Sequence, residues 1–314
     1  MDVRDTSPEE TSRVIPLRPK SEPSRARVIA FTGGKGGVGK TVLTVNAGVS
    51  LARNGFRTLI LDADLGLANV DVMLGLTPRY NLGHVLRGEA RLDDILLTGP
   101  EGIGILPGSS GTQELTSLSE QERWRLLGEL EQLEDRYDVV LVDTPAGISD
   151  NTVYFASAVQ DIVVVVTSEP TSLTDAYATV KVLSRKAGVR RFELVVNQVS
   201  TEEEAREIHR RLTVVTDRFL NVELRFGAHV PPDQNMVRGI MEQVPVASGM
   251  PRSPAARAVA KFARARATAP PSNALPGGLG IFWRRILREQ DGQETNASGK
   301  HNGPDDATHG GNSA

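Results

Sequence analysis

The sequence predicts a doubly wound α/β fold, a mostly parallel sheet with helices on both faces. Apolar runs of strand length at 27–32, 57–61, 137–143, 161–167, 192–196 and 222–230 alternate with segments of helical apolar spacing. The 161–167 run is almost entirely Ile and Val, the pattern of a strand covered on both faces. The first strand runs into Gly33-Gly34-Lys35-Gly36-Gly37-Val38-Gly39-Lys40-Thr41, and a helical pattern follows it. Strand, glycine-rich turn and helix is the setting a phosphate loop requires, and Gly34 through Thr41 fit G-x-x-x-x-G-K-[ST]. Glycines let backbone N–H groups close around an anion, and the helix opening at Lys40 adds its positive end. Lys40 can reach the β- and γ-phosphates, and the Thr41 hydroxyl can ligate Mg²⁺.

Composition narrows the class. With 314 residues, 39% of them hydrophobic and 24% charged, the chain can bury a sizeable core. A net charge of −3 makes no global case for nucleic acid as a partner. There is no cysteine, which removes disulfides and thiolate metal sites, including an iron–sulfur cluster held between subunits. No apolar run reaches the ~20 residues that span a bilayer, and the charged start does not read as a secretory signal, so a cytoplasmic protein is expected.

Taken in order, residues 1–25 read as a flexible arm and 26–267 as one α/β domain. Gly55 is a natural stop for the first helix. The second strand ends at Asp62-Ala63-Asp64, and ligands in such sheets sit beyond the carboxyl ends of strands. A carboxylate there can hold Mg²⁺ or orient a water, or Asp64 can simply cap the next helix. Short helices are expected at 82–87 and 92–96, a short strand at 103–106 and a loop at 107–111. A helix over 119–135 is expected to turn Trp124, Leu127, Leu130 and Leu133 inward. The strand ending at Asp143 has a Walker B pattern, with Asp143 approaching Mg²⁺. Helices are expected over 171–186 and 202–219, with His209 exposed on the charged face of the latter. Asn197 ends a strand, where its amide can either read a base edge or cap a turn. Pro231-Pro232-Asp233-Gln234 leads into a short helix, and Ser253 with Pro254 opens the domain's last one.

Residues 268–278 read as a linker. In the following segment, 279–290, Leu279, Phe282, Trp283, Ile286 and Leu287 share a face at about 3.6 residues per turn, with Arg284, Arg285 and Arg288 opposite. Ile281 interrupts the pattern. Such a helix suits the headgroup region of an anionic membrane, or it packs on its own domain or on a partner. Residues 291–314 are polar and read as a disordered tail.

The run Lys35-Gly36-Gly37-Val38-Gly39-Lys40-Thr41 resembles the deviant Walker A motif of the MinD/ParA family of ATPases. The segment 62–71 resembles that family's first switch. The resemblance covers about 27–265 and implies a MinD-like P-loop fold with ATP and Mg²⁺ as ligands. It implies a homodimer formed on ATP binding, in which Lys35 enters the partner's nucleotide site. It further implies that Lys40 stabilises phosphate charge, that Asp64 positions the attacking water and that Asp62 supports a metal site with Thr41 and Asp143. Pro145 and Gly147 would belong to the second switch, and Asn197, Pro231 and Asp233 would lie against the base and ribose. Within the family, 62–74, 81–88, 105–111 and 168–177 look most like the FlhG (FleN) branch, which regulates flagellar number and placement. That branch implies an FlhF-like GTPase or flagellar switch proteins as partners. Residues 1–25 lack the Asp-Gln-Ala-x-x-Leu-Arg element associated with stimulating that GTPase. Thr144-Pro145-Ala146-Gly147 carries a MinD-like proline. Division-site placement and DNA partitioning remain the alternative functions.

Overall fold

The structure, a computed structural model, describes residues 26–64, 69–108, 119–273 and 278–288. The expected arm, the tail and residues 109–118 therefore lie outside the described residues.

Eight strands form one sheet: Arg27–Thr32 (β1), Thr58–Asp62 (β2), Leu97–Thr98 (β3), Gly104–Leu106 (β4), Val139–Asp143 (β5), Asp161–Val166 (β6), Arg191–Asn197 (β7) and Glu223–Val230 (β8). Their order is β3-β4-β2-β5-β1-β6-β7-β8, and every pairing is parallel except β3 with β4. From β1 the chain winds outward first to one side and then to the other. The crevice beyond the carboxyl end of β1 is thus the switch point where a ligand can enter.

Alternating residues of β1 feed two cores. Val28 and Ala30 face one, and Ile29 and Phe31 the other. On the Ile29 side lie the helices Lys40–Arg53 (α1), Val70–Met73 (α2), Val246–Gly249 and Pro254–Thr268. On the Val28 side lie Leu82–Leu86, Leu92–Ile95, Glu120–Glu131 (α5), Asp150–Ser157, Pro170–Lys186 (α7) and Glu202–Leu220 (α8). In α8 the buried positions Ala205, Ile208, Leu212, Thr216 and Leu220 recur at helical spacing, while the acidic first turn faces water. These two layers match the doubly wound expectation.

Several details differ from the sequence reading. The second strand is displaced by one residue, so that Asp62 joins the ladder directly opposite Asp143. The small antiparallel pair and the helix Asp150–Ser157 were not anticipated. Trp124 is 60% exposed, and Leu126 takes the inward position with Leu127, Leu130 and Leu133. His209 is partly buried, its Nε2 2.8 Å from the Leu224 carbonyl oxygen.

The stretch expected to be a linker is bound. Asp161, fully buried, pairs with Arg27 at 2.7 Å and accepts the Ser272 N–H at 2.9 Å. Arg27 also donates to the carbonyls of Ala269 and Pro270. A buried carboxylate needs such partners, and residues 269–272 supply them. The helix beyond, Leu279–Arg288, lies against α5. Leu279, Phe282, Trp283 and Ile286 are each at most 1% exposed and belong to the Val28-side core. Arg284 pairs with Glu131 at 2.8 Å, and Gly280 N–H donates to Glu134 at 3.2 Å. Of the alternatives that the sequence left for this apolar face, lipid, a partner or its own domain, the structure has it seated in the domain. Each such side chain gains about 1.5–3 kcal/mol on burial, and α5 offers leucines that need cover. Arg285 is half-buried, and the side chains of Leu287 and Arg288 lie outside the described residues.

Candidate nucleotide site

The phosphate loop connects β1 to α1 at the centre of the sheet. Gly37 and Gly39 have φ of +79° and +96°, values that a side chain resists. No side chain caps α1, whose N-cap is the left-handed Gly39. Its first N–H groups therefore point into the crevice without a side-chain acceptor, an arrangement suited to an anion. A Cβ on Gly34 would lie 2.2 Å from the Asp175 carbonyl oxygen, so glycine here lets the loop press against α7.

Around the loop the structure gathers most of the residues picked out in the sequence. Lys40 is 8% exposed, and burial lowers its pKa while Asp143 and Asp64 raise it. Both carboxylates are thus close enough to act on its ammonium. Thr41 Oγ1 donates to Asp143 at 2.6 Å, and Thr44 Oγ1 does so at 3.3 Å. Burial pushes the Asp143 carboxyl up to about 7, opposed by the Thr41 hydrogen bond and reinforced by the Asp62 charge. A buried carboxylate beside a hydroxyl is a hard-oxygen pair that fits Mg²⁺, an ion that draws much of its shell from water and phosphate. No cluster of three or more His, Cys, Asp or Glu ligands occurs among the described residues.

Asp62 departs from its expected role. Its carboxylate accepts three backbone N–H groups, from Asp64 at 3.1 Å, Asn69 at 3.0 Å and Val70 at 3.1 Å. Burial raises its pKa to about 6 against those hydrogen bonds. It stands beside the metal pair but is turned toward the main chain of its own loop. Asp64 is half-buried. Leu65–Ala68, part of the first-switch resemblance, lie outside the described residues.

Four further site residues bond within the chain. Lys35 bonds within its own chain to Glu169 and to Thr171 Oγ1 at 3.1 Å, so it must leave them to reach another subunit. Gly147 N–H donates to the Gly33 carbonyl at 3.1 Å, which ties the segment that carries Pro145 and Gly147 to the phosphate loop. Asp233 caps the helix Gln234–Met241 (α9) through Asn235 N–H at 2.9 Å and also accepts Ala255 N–H at 3.2 Å. Its oxygens are engaged by the protein, and the residue also lines a cleft beside the phosphate loop. Asn197 Nδ2 donates to the Val38 carbonyl at 2.8 Å, joining the end of β7 to the loop. Sequence reasoning missed Glu169 and Thr44. Glu169 lay in a stretch quoted for its resemblance, and Thr44 lies one helical turn beyond Lys40, facing Asp143.

A cleft of about 440 Å³ opens beside the loop, lined among others by Gly39, Leu43, Asn197, Pro231 and Val237. It is mostly apolar and continuous with the phosphate loop, as a base and sugar require.

The family model described as an AAA domain matches residues 26–189. The antiactivator FleN of Pseudomonas aeruginosa is 44% identical over 83% of this chain and 94% of its own length. This chain belongs to the MinD/ParA family of P-loop ATPases. A second relative, the flagellum site-determining protein YlxH of Helicobacter pylori, is 31% identical over 83% of this chain and 90% of its own length. Among solved structures, the septum site-determining protein MinD complexed with Mg-ADP from Pyrococcus horikoshii aligns with a TM-score of 0.60 and 28% identity, covering 76% of this chain and 94% of that one. MinD in the MinC:MinD complex of Aquifex aeolicus aligns with a TM-score of 0.61 and 29% identity, covering 76% and 95%. The MinD/ParA motifs at Gly34–Thr41 and Asp143 are the ones that the fold brings together.

Proposed function

We propose that this protein is an FlhG-type ATPase that dimerises on ATP and regulates the number or placement of flagella. The observation that carries the biochemical part is the convergence of Lys40, Thr41, Asp143 and Asp64 on one crevice, with a second lysine, Lys35, at the loop's outer edge. The 44% identity to the antiactivator FleN supports the cellular part. The reaction is phosphoryl transfer from ATP to water. Lys40 and the loop N–H groups stabilise the phosphate charge, and Asp64 orients the water. Thr41 and Asp143 would hold Mg²⁺, which supplies charge neutralisation at the phosphates when bound. On dimerisation Lys35 exchanges Glu169 for the partner's nucleotide. Turnover is slow and is raised by a partner or the membrane.

Membrane attachment through residues 279–290 belongs to the same reading. The arginine-bearing face suits anionic lipid. Lipid competes with α5 for the apolar face, so attachment requires the helix to leave its seat. Two helices on one dimer gain avidity on the order of 10²–10⁴. An FlhF-like GTPase or flagellar switch proteins are the partners that the resemblance suggests. The second reading, a MinD-type division-site regulator, is favoured by the MinD-like Pro145 and the MinD structural neighbours.

Molar mass measured by light scattering with Mg²⁺ and a non-hydrolysable ATP analogue tests the dimer. Doubling is expected for the wild type and none for Lys40→Ala; a wild type that stays monomeric refutes the switch. Expression in a flagellated bacterium lacking its own FleN tests the cellular role by flagella counted per cell. Unchanged counts with altered division sites favour the second reading.

A further inference from the structure

We propose that Asp62 is a positioning residue for hydrolysis. It holds Asp64 by gathering the main chain on both sides of that loop onto one carboxylate, and it does not ligate magnesium. The inference rests on the ATPase reading above.

The hydrogen-bond pattern carries it. Oδ1 accepts Asp64 N–H at 3.1 Å, and Oδ2 accepts both Asn69 N–H at 3.0 Å and Val70 N–H at 3.1 Å. Asp62 is 1% exposed, so these are charge-assisted bonds shielded from water. An ionised carboxylate offers about four lone-pair sites, and three are taken by backbone. The neighbouring carboxylate behaves differently. Asp143, opposite Asp62 in the β2–β5 ladder, meets the two hydroxyls of Thr41 and Thr44 and, among the described residues, no loop N–H. Two aspartates at equal height in the sheet are thus divided by partner, one facing the phosphate loop and the other the loop that carries Asp64.

Helix geometry adds a second reason. Asn69, the N-cap of α2, makes no side-chain cap bond, so the first N–H groups of that helix need an acceptor from elsewhere. Asp62 provides it from the end of β2. The far side of α2 is also fixed, since the Val72 carbonyl accepts Gln243 Nε2 at 2.8 Å. Asp64 therefore sits between a strand end and a helix anchored at both ends. A catalytic carboxylate placed even 1 Å off loses much of its effect, so this anchoring bears on rate.

The test is Asp62→Asn. Its amide keeps one acceptor oxygen and turns an NH₂ toward the remaining N–H groups. Hydrogen exchange at the Asp64, Asn69 and Val70 amides is expected to accelerate about 10-fold or more without any nucleotide. kcat is expected to fall about 10–100-fold. The KM for ATP and the Mg²⁺ midpoint of turnover should stay within about twofold of wild type, as for an interaction that acts at the chemical step. Unchanged amide exchange, unchanged kcat, or a Mg²⁺ midpoint raised tenfold would each overturn the proposal. Should the variant not fold, the wild type decides. Protection of the Asn69 and Val70 amides must persist on adding Mg²⁺ with a non-hydrolysable ATP analogue, and its loss would mean that the metal had captured the carboxylate. Absence of wild-type turnover would sink the ATPase reading and with it the kinetic role of Asp62, whereas changed exchange or kcat outcomes with an active wild type judge Asp62 by itself.

Discussion

Replacing Trp283 with alanine tests the seating of the C-terminal helix most directly. The side chain is 1% exposed and stacks edge-on against Phe282, with ring centroids 4.9 Å apart. Burial of Leu279, Phe282, Trp283 and Ile286 at about 1.5–3 kcal/mol each amounts to roughly 6–12 kcal/mol of apolar stabilisation. Truncating a buried Trp costs about 3–5 kcal/mol, up to half of that total or more. The polar contacts that also hold the helix include the exposed pair of Arg284 with Glu131, which contributes little. Trp283→Ala should therefore release the helix before it unfolds the sheet. Urea unfolding followed by circular dichroism should show the domain melting near wild type after an early, non-cooperative loss of helix. Trypsin should cut at Arg284 and Arg285 much faster than in wild type. Trp283→Phe is the control. It keeps a ring in the seat and removes an indole N–H that finds no acceptor among the described residues, so a cost under about 1.5 kcal/mol is expected. In a Trp124→Phe background Trp283 becomes the sole tryptophan, and its emission should be blue-shifted and should move red on adding anionic vesicles if lipid competes for the same face. Trp283→Ala with wild-type stability and wild-type cleavage would refute the seated arrangement.

Other outcomes follow from the site. Lys40→Ala should abolish ATP binding measured by fluorescent-nucleotide titration, since Lys40 is the one buried lysine among the described residues. Asp64→Ala should bind ATP and accumulate as a dimer on size-exclusion chromatography, and rapid hydrolysis by that variant would contradict its role. Asn197→Ala removes the bond to the Val38 carbonyl and should weaken nucleotide affinity about 10-fold, read by calorimetry. Asp143 and Asp62 have carboxyls raised to about 7 and about 6, so the folded chain binds protons more tightly than the unfolded one. Without ligand, their contribution to stability is fully present below about pH 4 and is lost as pH rises toward about 7. Mg²⁺ favours the ionised Asp143, so its binding should release protons and weaken as pH falls below about 7, measured by calorimetry in buffers of different ionisation enthalpy.

The phosphate loop and the sheet were legible for local reasons. Each central strand is a short, continuous apolar run, and the loop is defined by glycines whose backbone demands allow few substitutes. Asp143 was legible because a carboxylate ending a buried strand has few alternative uses. Asp62 and Asp64 were not separable by the same reasoning. Both are aspartates at one strand end, and only the ladder register shows that Asp62 falls opposite Asp143 while the main chain curls back onto its oxygens. Lys35 was legible as unusual, whereas its bond to Glu169 joins residues 134 apart in the chain, a separation that no local pattern encodes.

The C-terminal helix shows where a periodic pattern stops informing. A stripe of Leu279, Phe282, Trp283 and Ile286 states that one face requires an apolar neighbour, and it is silent about which one. Lipid tails and the leucines of α5 satisfy it equally well in chemistry. What decides in the structure is position. Residues 269–272 are drawn to the base of the sheet by the buried pair of Arg27 and Asp161, which tethers the chain leading toward the helix to the sheet. The ion pair joins the first residues of β1 and β6, at the opposite end of the strands from the phosphate loop, yet it sets the effective concentration of the helix at its seat. Any membrane function of residues 279–290 must therefore be read as a competition between that intramolecular seat and the lipid surface, and the balance is set by Trp283 and its neighbours rather than by the arginines alone.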